Sequence, residues 1–322
     1  MATLTVAGPL KLDVAAEVKR ITAAIRETVL FKLRRNGAVI GVSGGIDSSV
    51  VAYLCARALG KDRVIVLFTP ETDSSPESLR LGRMVAENLG VRSFLEDVTS
   101  VLRGARCYER RDEAIRALIP DYGEGWQMKI VLPNLSHSQQ YALFSIVAKS
   151  PAGETRKVRL TLDSYLTIVA ATNFKQRSRK MMEYYYADRF KYAVAGTPNR
   201  LEYDQGFFVK NGDGAADFKP IAHLYKTQVY QLAEYLSVPE EICLRPPTTD
   251  TYSLPQTQEE FYFSLSLDKT DLCLYGHENG LSPAQLAPIV GLAEDQVRRA
   301  YEAIVSKRRA AEYLHATAAL VD

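Results

Sequence analysis

The stretch Val42-Ser43-Gly44-Gly45-Ile46-Asp47-Ser48-Ser49 restricts the fold more than any other part of the chain. An apolar run, Ala38-Val39-Ile40-Gly41-Val42, leads into it, and a helical apolar pattern from Val50 onward leads out. A strand, a glycine turn and a helix start together aim backbone N–H groups and a positive helix end at one point, the geometry of a phosphate site. Ser43, Ser48 and Ser49 add hydroxyl donors, and the two glycines let the chain pass close to an anion where a Cβ would clash. Asp47 makes sense among these groups if it holds a magnesium ion against the phosphates. A Walker loop is excluded because no lysine follows the glycines, and the G-x-G-x-x-G dinucleotide spacing is absent. The bland alternative is a Gly/Ser turn that caps a helix; the apolar strand directly before it argues against that.

The flanks supply the fold class. Residues 14–33 carry Val18, Ile21, Ile25, Val29, Leu30 and Leu33 at helical spacing, so a helix should lie on the core ahead of the first strand. The helix from Ser48 ends near Gly60, and residues 63–68 form a mostly apolar run suited to a strand covered on both faces. Ser75-Pro76-Glu77 starts a helix that reaches Leu89, and residues 91–98 read as another strand. This alternation predicts an α/β fold with a doubly wound, mainly parallel sheet and helices on both faces, and places a nucleotide at the carboxyl ends of its strands. Residues 104–160 interrupt the pattern with the charged run Glu109 to Glu113, the only Trp (Trp126, a packing anchor) and a Pro151-Ala152-Gly153 turn. The flanks of that turn, 141–148 and 156–162, read as a hairpin. A long helix should run over 163–185, followed by a buried strand at Tyr192-Ala193-Val194-Ala195 and a Gly-rich loop over 206–217. Helices are expected over 223–235, from Pro239, from Ser282-Pro283, and over 295–315, where plain helical packing suits the charge balance better than a DNA-reading helix pair.

Composition sets limits. Forty basic and thirty-eight acidic residues give +2, which is no footprint for nucleic acid. Cys55, Cys107, Cys243 and Cys273 are scattered without a C-x-x-C pair, as expected of idle thiols in a reducing cytoplasm. No signal peptide and no membrane span are expected, and 322 residues suffice for one large domain with an excursion.

S-G-G-x-D-S resembles the pyrophosphate loop of the N-type ATP pyrophosphatases, which cleave ATP between its α- and β-phosphates. Two further blocks narrow the likeness. One is Asn173-Phe174-Lys175-Gln176-Arg177-Ser178-Arg179. The other runs from Gly196-Thr197 through Glu202, Gly206-Phe207-Phe208, Lys210, Gly212-Asp213-Gly214, Asp217, Pro220 and Leu224-Tyr225-Lys226-Thr227 to Pro247-Thr248-Thr249-Asp250. With these blocks the chain resembles the ammonia-dependent NAD synthetases over most of residues 10–103 and 160–255.

The resemblance implies a ligase that forms a C–N bond. The carboxylate of nicotinic acid adenine dinucleotide attacks the α-phosphate of ATP, and ammonia then displaces AMP from the acyl adenylate. It implies ATP contacts from Ser43, Gly44, Gly45, Asp47, Ser48, Thr197, Lys226 and Thr248, and Mg²⁺ on Asp47 and Glu202. Arg177, Lys210 and Asp217 would bind the dinucleotide, while Asp213 would sit by the reacting carboxyl and ammonia, with Lys226 as its catalytic companion. It also implies a homodimer, with the first helix and the 163–185 helix as contact faces, and ammonia that enters free or from a separate partner, because no glutaminase constellation is present. The ligase domain would span 1–265, interrupted by an insertion at 104–160, with 266–322 as a helical extension packed on it. The sequence departs from the family at Arg200-Leu201, where Lys-Ser is usual, in the 104–160 segment, and over 254–280, where only traces of an acidic stretch remain. These leave open a relative that amidates a different carboxylate. A thiolating relative would carry paired cysteines and a basic surplus, both absent. A non-catalytic ATP-binding protein would have no use for Asp47, Glu202, Asp213 and Lys226 together.

Overall fold

The computed structural model describes residues 8–131, 144–248, 251–258, 262–263 and 265–321. Thr249, Asp250, Glu259 to Phe261 and the 141–143 end of the expected hairpin lie outside the described residues.

Helix α1 (Val14–Arg26) continues through a π-helical turn, Glu27–Lys32, and delivers the chain to β1 (Ala38–Gly41). Then come α2 (Ile46–Leu59), β2 (Val64–Phe68), α3 (Pro76–Leu89) and β3 (Arg92–Leu95). Ser75 caps α3 by accepting from the Glu77 N–H, with Pro76 in the first turn and left-handed Gly90 ending the helix. Strand β3 is shorter than the expected 91–98 run because pairing with β2 ends at Leu95.

The chain then leaves the sheet for α4 (Thr99–Gly104), α5 (Cys107–Arg116) and a separate antiparallel sheet of β4 (Gln127–Val131), β5 (Ser145–Lys149) and β6 (Thr155–Arg159). The β5–β6 hairpin is the one expected around Pro151; β4, which pairs with β5, was not anticipated. Trp126 packs against Tyr122, with ring centroids 5.7 Å apart, as an anchor should. Helix α6 (Leu162–Phe190) carries the chain back to β7 (Ala193–Val194), which pairs with β1. The named elements that follow among the described residues are helices: α7 (Arg200–Gln205), α8 (Lys226–Tyr235), α9 (Glu240–Leu244), α10 (Leu267–Glu278), α11 (Pro283–Val290) and α12 (Glu294–His315).

The main sheet has the order β3-β2-β1-β7, all parallel. Side-chain alternation splits it between two cores. Ala38, Ile40, Val64, Val66 and Phe68 face Val18, Ile21 and Ile25 of α1 together with α2, α3 and α8, whereas Val39, Ile65, Leu67 and Val194 face Tyr186 and Ala187 of α6. This is the doubly wound arrangement expected. A further core joins α10, α11 and α12 to Leu201 and Tyr225. Strand order reverses between β1 and β7, because the chain grows outward from β1 to β3 and then returns to β1's other edge. Such a switch point leaves a crevice at the strands' carboxyl ends.

Candidate active site

The loop after β1 and the turn after β7 meet at that crevice. A cavity of about 710 Å³ opens there, lined by Ser43, Gly45, Asp47, Ser48, Thr197, Glu202, Lys226 and Thr248, among others. Helix α2 starts at the cavity wall with Gly45 as its N-cap, and no side chain caps it, so its first N–H groups are available to an anion. The Ser48 hydroxyl accepts from the Ser43 N–H at 3.3 Å and donates to the Gly45 carbonyl at 3.0 Å, which braces the turn. Ser49 is turned inward, donating to the Gly45 carbonyl at 2.8 Å, and does not line the cavity. The glycines differ in role: Gly45 lines the cavity, while Gly44, at φ +72°, lies against Ser78 and Leu81 of α3.

A charged cluster stands opposite the serines. Lys226, 1% exposed, opens α8 and pairs with Asp47 Oδ2. Asp47 Oδ1 accepts from the Asn199 side chain at 3.1 Å. Asn199 and Glu202 form a capping box on α7, and Glu202 Oε1 accepts from Gln258 Nε2 at 2.9 Å. Burial, and then the nearby charge of Asp47, push the Glu202 carboxyl up to about 8. Burial works against the charge of Lys226, but Asp47 and Glu202 outweigh it and hold the lysine up at about 12. Two neighbouring carboxylates beside a single lysine suit a divalent cation, and the oxygen-only donors are those that magnesium prefers. Among the described residues no cluster of three or more His, Cys, Asp or Glu could enclose a metal unaided, so further ligands would come from a bound molecule.

Helix α6 forms another wall. Arg177, exposed at the cavity mouth, donates to the Lys210 carbonyl at 3.2 Å. Arg179 donates to the Thr69 carbonyl at 3.2 Å and to Ser74 at 3.1 Å, so it is engaged with the loop after β2. Lys210 lines the cavity but spends its ammonium on the Tyr313 and Ala316 carbonyls, at 2.7 and 2.8 Å, at the end of α12. Asp213 lines the cavity, accepts from the Val209 N–H at 2.8 Å, and has its carboxyl raised by burial. Asp217 is not brought to the cavity: it accepts from the Val194 N–H at 2.7 Å on the edge of β7 away from β1, where Phe218 bridges to Ala195, and from Tyr184 at 3.3 Å.

Comparison with known proteins supplies the context for this arrangement. The family model described as NAD synthase matches residues 17–117 and 137–312. The chain belongs to the NAD synthase family. The internal gap in that match, 118–136, falls between α5 and β5 in the sequence. An NH(3)-dependent NAD(+) synthetase of Mesorhizobium japonicum is 58% identical over 307 residues, covering 95% of this chain and 96% of that one. One from Methanocaldococcus jannaschii is 34% identical over 269 residues, covering 84% and 83%. Among solved structures, an NH3-dependent NAD synthetase from Campylobacter jejuni superposes with a TM-score of 0.63 at 21% identity, over 97% of this chain and all of that one. An NMN synthetase from Francisella tularensis reaches 0.66 at 20% identity over the same shares. At these identities the structures bear on fold alone.

Several members of the site went unread in the sequence. Asn199, which ties Asp47 to Glu202, was detectable from its N-x-x-E spacing, the signature of a capping box. Lys180 and Glu183 line the cavity as a buried pair, though charged residues on a helix read as a solvated face. Gln258, Arg245, Tyr313 and Leu314 arrive from distant segments and left no local signal.

Proposed function

We propose that this family member amidates nicotinic acid adenine dinucleotide to NAD with ammonia, using ATP and releasing AMP and pyrophosphate. The observation that carries the reading is the convergence, in one switch-point cavity, of the serine–glycine turn, the Asp47–Lys226–Glu202 cluster and Asp213. A carboxylate is a poor acyl donor, because oxide or hydroxide would have to leave; adenylation provides AMP as the leaving group. Pyrophosphate departs with growing negative charge, which the α2 N-terminus, Ser43, Ser48 and Lys226 would receive. Asp47 and Glu202 would hold Mg²⁺, which neutralises phosphate charge when bound. Thr197 and Thr248 border the same space and would contact ATP. Arg177 and Lys210, at the mouth, would bind the dinucleotide. Asp213 would hold ammonium and accept its proton, an effect of about 10²–10⁴-fold for a positioned base.

The reading extends to assembly and location. Leu162, Leu166, Met181 and Tyr185 recur along one exposed side of α6, and Phe31, beyond α1, is 65% exposed. A homodimer would cover such a stripe. Among the described residues no helix is long and apolar enough to cross a membrane, and a cytoplasmic enzyme fed by free ammonia or a separate donor is the proposed setting. The 104–160 segment would be an insertion in a ligase domain of 1–265, and 266–322 its extension.

Purified protein with Mg-ATP, nicotinic acid adenine dinucleotide and ammonium should form NAD. Pyrophosphate release with a different carboxylate and none with this one would reassign the substrate while keeping the ATP chemistry.

A further inference from the structure

The pair Lys180–Glu183 on α6 has no part in the assignments above. Lys180 Nζ donates to Glu183 Oε2 at 2.6 Å, and the two side chains are 7% and 9% exposed. Both line the cavity. Glu183 lies under the carboxyl end of β1, so close that a Cβ on Gly41 would fall 2.6 Å from its Oε1. Asp213 lines the same cavity. Burial raises the Asp213 carboxyl, and the charges of Lys180 and Arg179 act to lower it. The Asp213 charge acts in turn on Glu183, whose carboxyl is raised chiefly by burial. Lys180 also weighs, as a like charge, on the half-buried Lys219.

An ion pair taken out of water is costly, and apolar residues of similar volume often hold a fold as well or better. A pair retained on a cavity wall is better explained by what it binds. Four other cations at the cavity are committed elsewhere: Lys226 to Asp47, Lys210 to two carbonyls, Arg179 to Thr69 and Ser74, and Arg245 to Ser78 at 3.0 Å; Arg177, at the mouth, commits its Nε to the Lys210 carbonyl and is assigned above to the dinucleotide. Among the described residues Lys180 spends one of its three N–H groups, on Glu183, which leaves two for a ligand.

We propose that Lys180, held in place by Glu183, receives the carboxylate of the acid substrate opposite Asp213, and then its acyl oxygen during amination. This rests on the amidation reading above. In the first step one carboxylate oxygen attacks the α-phosphorus, the bond to the β,γ-unit breaks, and its electron pair leaves with pyrophosphate. In the second, ammonia nitrogen adds to the acyl carbon, and the carbonyl pair moves onto the oxygen that faces Lys180. Collapse restores the carbonyl, AMP leaves with the C–O electron pair, and Asp213, having passed the proton of ammonium to solvent, takes one proton from nitrogen. Lys180 is thereby a catalytic residue and Glu183 a positioning residue.

The test replaces the pair with apolar residues, Lys180→Met with Glu183→Leu, in the full chain, with Lys180→Arg alone as the conservative variant. The measurements are thermal melting, calorimetric binding of a non-hydrolysable ATP analogue with Mg²⁺, and steady-state NAD formation with the acid varied. The double variant should melt near wild type and bind the analogue within about threefold, yet lose roughly 10²–10³-fold in kcat/KM for the acid, the size seen when one oxyanion donor is removed. Lys180→Arg should restore part of that loss. A folded double variant that keeps kcat/KM for the acid within about threefold overturns the proposal. Should the double variant fail to fold, Lys180→Gln with Glu183→Gln is judged by the same criterion. Failure of the wild-type protein to make NAD sinks the amidation reading and this proposal together; an active wild type with an equally active variant sinks this proposal alone.

Discussion

The adjacent glycines of the β1–α2 turn are held for different physical reasons, and alanine substitution separates them. Gly44 has φ +72°, and a Cβ there would lie 2.5 Å from the Ser78 carbonyl and 2.9 Å from Leu81 Cβ. Left-handed strain costs about 1–2 kcal/mol and forced displacement of a packed neighbour about 1–3, so Gly44→Ala should destabilise by roughly 2–5 kcal/mol. At about 2 °C per kcal/mol for a chain of this size, Tm should fall by roughly 4–10 °C. Gly45 has φ −87° and ψ 158°, and the nearest atom to its added Cβ is Ser43 Oγ at 3.4 Å. Gly45→Ala exchanges one N-cap without a hydroxyl for another and should cost about 1 kcal/mol or less. Its methyl group, however, would stand at the cavity wall where phosphate must approach the backbone. Binding of an ATP analogue should therefore weaken at least about tenfold, or 1.4 kcal/mol. Scanning fluorimetry reads the first effect and titration calorimetry the second. A Gly45→Ala protein that binds the analogue like wild type would place the phosphates elsewhere, and an unchanged Tm for Gly44→Ala would refute the packing argument.

Other expectations follow from the same contacts. Asp47→Asn and Glu202→Gln should each raise the Mg²⁺ concentration needed for half-maximal turnover; an unchanged midpoint removes that residue from the metal. Asp271 accepts the Lys226 and Thr227 N–H groups at 3.2 and 2.7 Å, and burial pushes its carboxyl from 3.8 up to about 7. The folded state therefore holds this proton more tightly, and the resulting stability is complete below about pH 4 and drains away as pH rises through about 7. The stability difference between wild type and Asp271→Asn should fall across that window by up to about 4 kcal/mol, at 1.36 per pH unit, and a flat difference in urea unfolding contradicts it. Lys175 pairs with Glu71 and Asp73 at 3.0 and 2.6 Å in a buried network that also holds Arg111. Lys175→Met leaves Glu71 without its buried lysine and Asp73 with Arg111 alone, and should cost roughly 3–5 kcal/mol by urea unfolding; a loss below about 1 would mean that the acids find other partners. Leu166→Glu should turn a dimer into a monomer by light scattering, and a monomeric wild type would dismiss the α6 interface.

The sheet and its loop were legible because they obey short-range rules. An apolar run before Gly44 can only be a buried strand, and Ser75-Pro76 announces α3 in its own residues. The hairpin around Pro151 was equally local. Strand β4 was not, because its exposed Gln127 and half-buried Lys129 look like loop until β5 pairs with them and Ser253 accepts from the Met128 N–H at 2.9 Å. Helix α6 starts one residue before and ends five residues beyond its expected 163–185 limits because it is buried on several sides, against both sheets and α5, so no single apolar stripe marks its ends. Most of the proposed site residues do meet in one cavity. Asp217 does not, because the Val194 N–H on the edge of β7 claims its carboxylate. Lys180 and Glu183 were hidden for the opposite reason: their charges suggested water, and only the packing of α6 beneath Gly41 puts them indoors.

Phosphorus NMR of one reaction mixture tests the central claim most directly. Wild-type protein is supplied with Mg-ATP, nicotinic acid adenine dinucleotide and ammonium, and the phosphorus products are followed alongside NAD. Equimolar AMP, pyrophosphate and NAD are predicted, because in the proposed reaction the β,γ-half of ATP would sit against Ser43 to Ser48 while the acid attacks the α-phosphate. ADP and inorganic phosphate in their place would contradict the account.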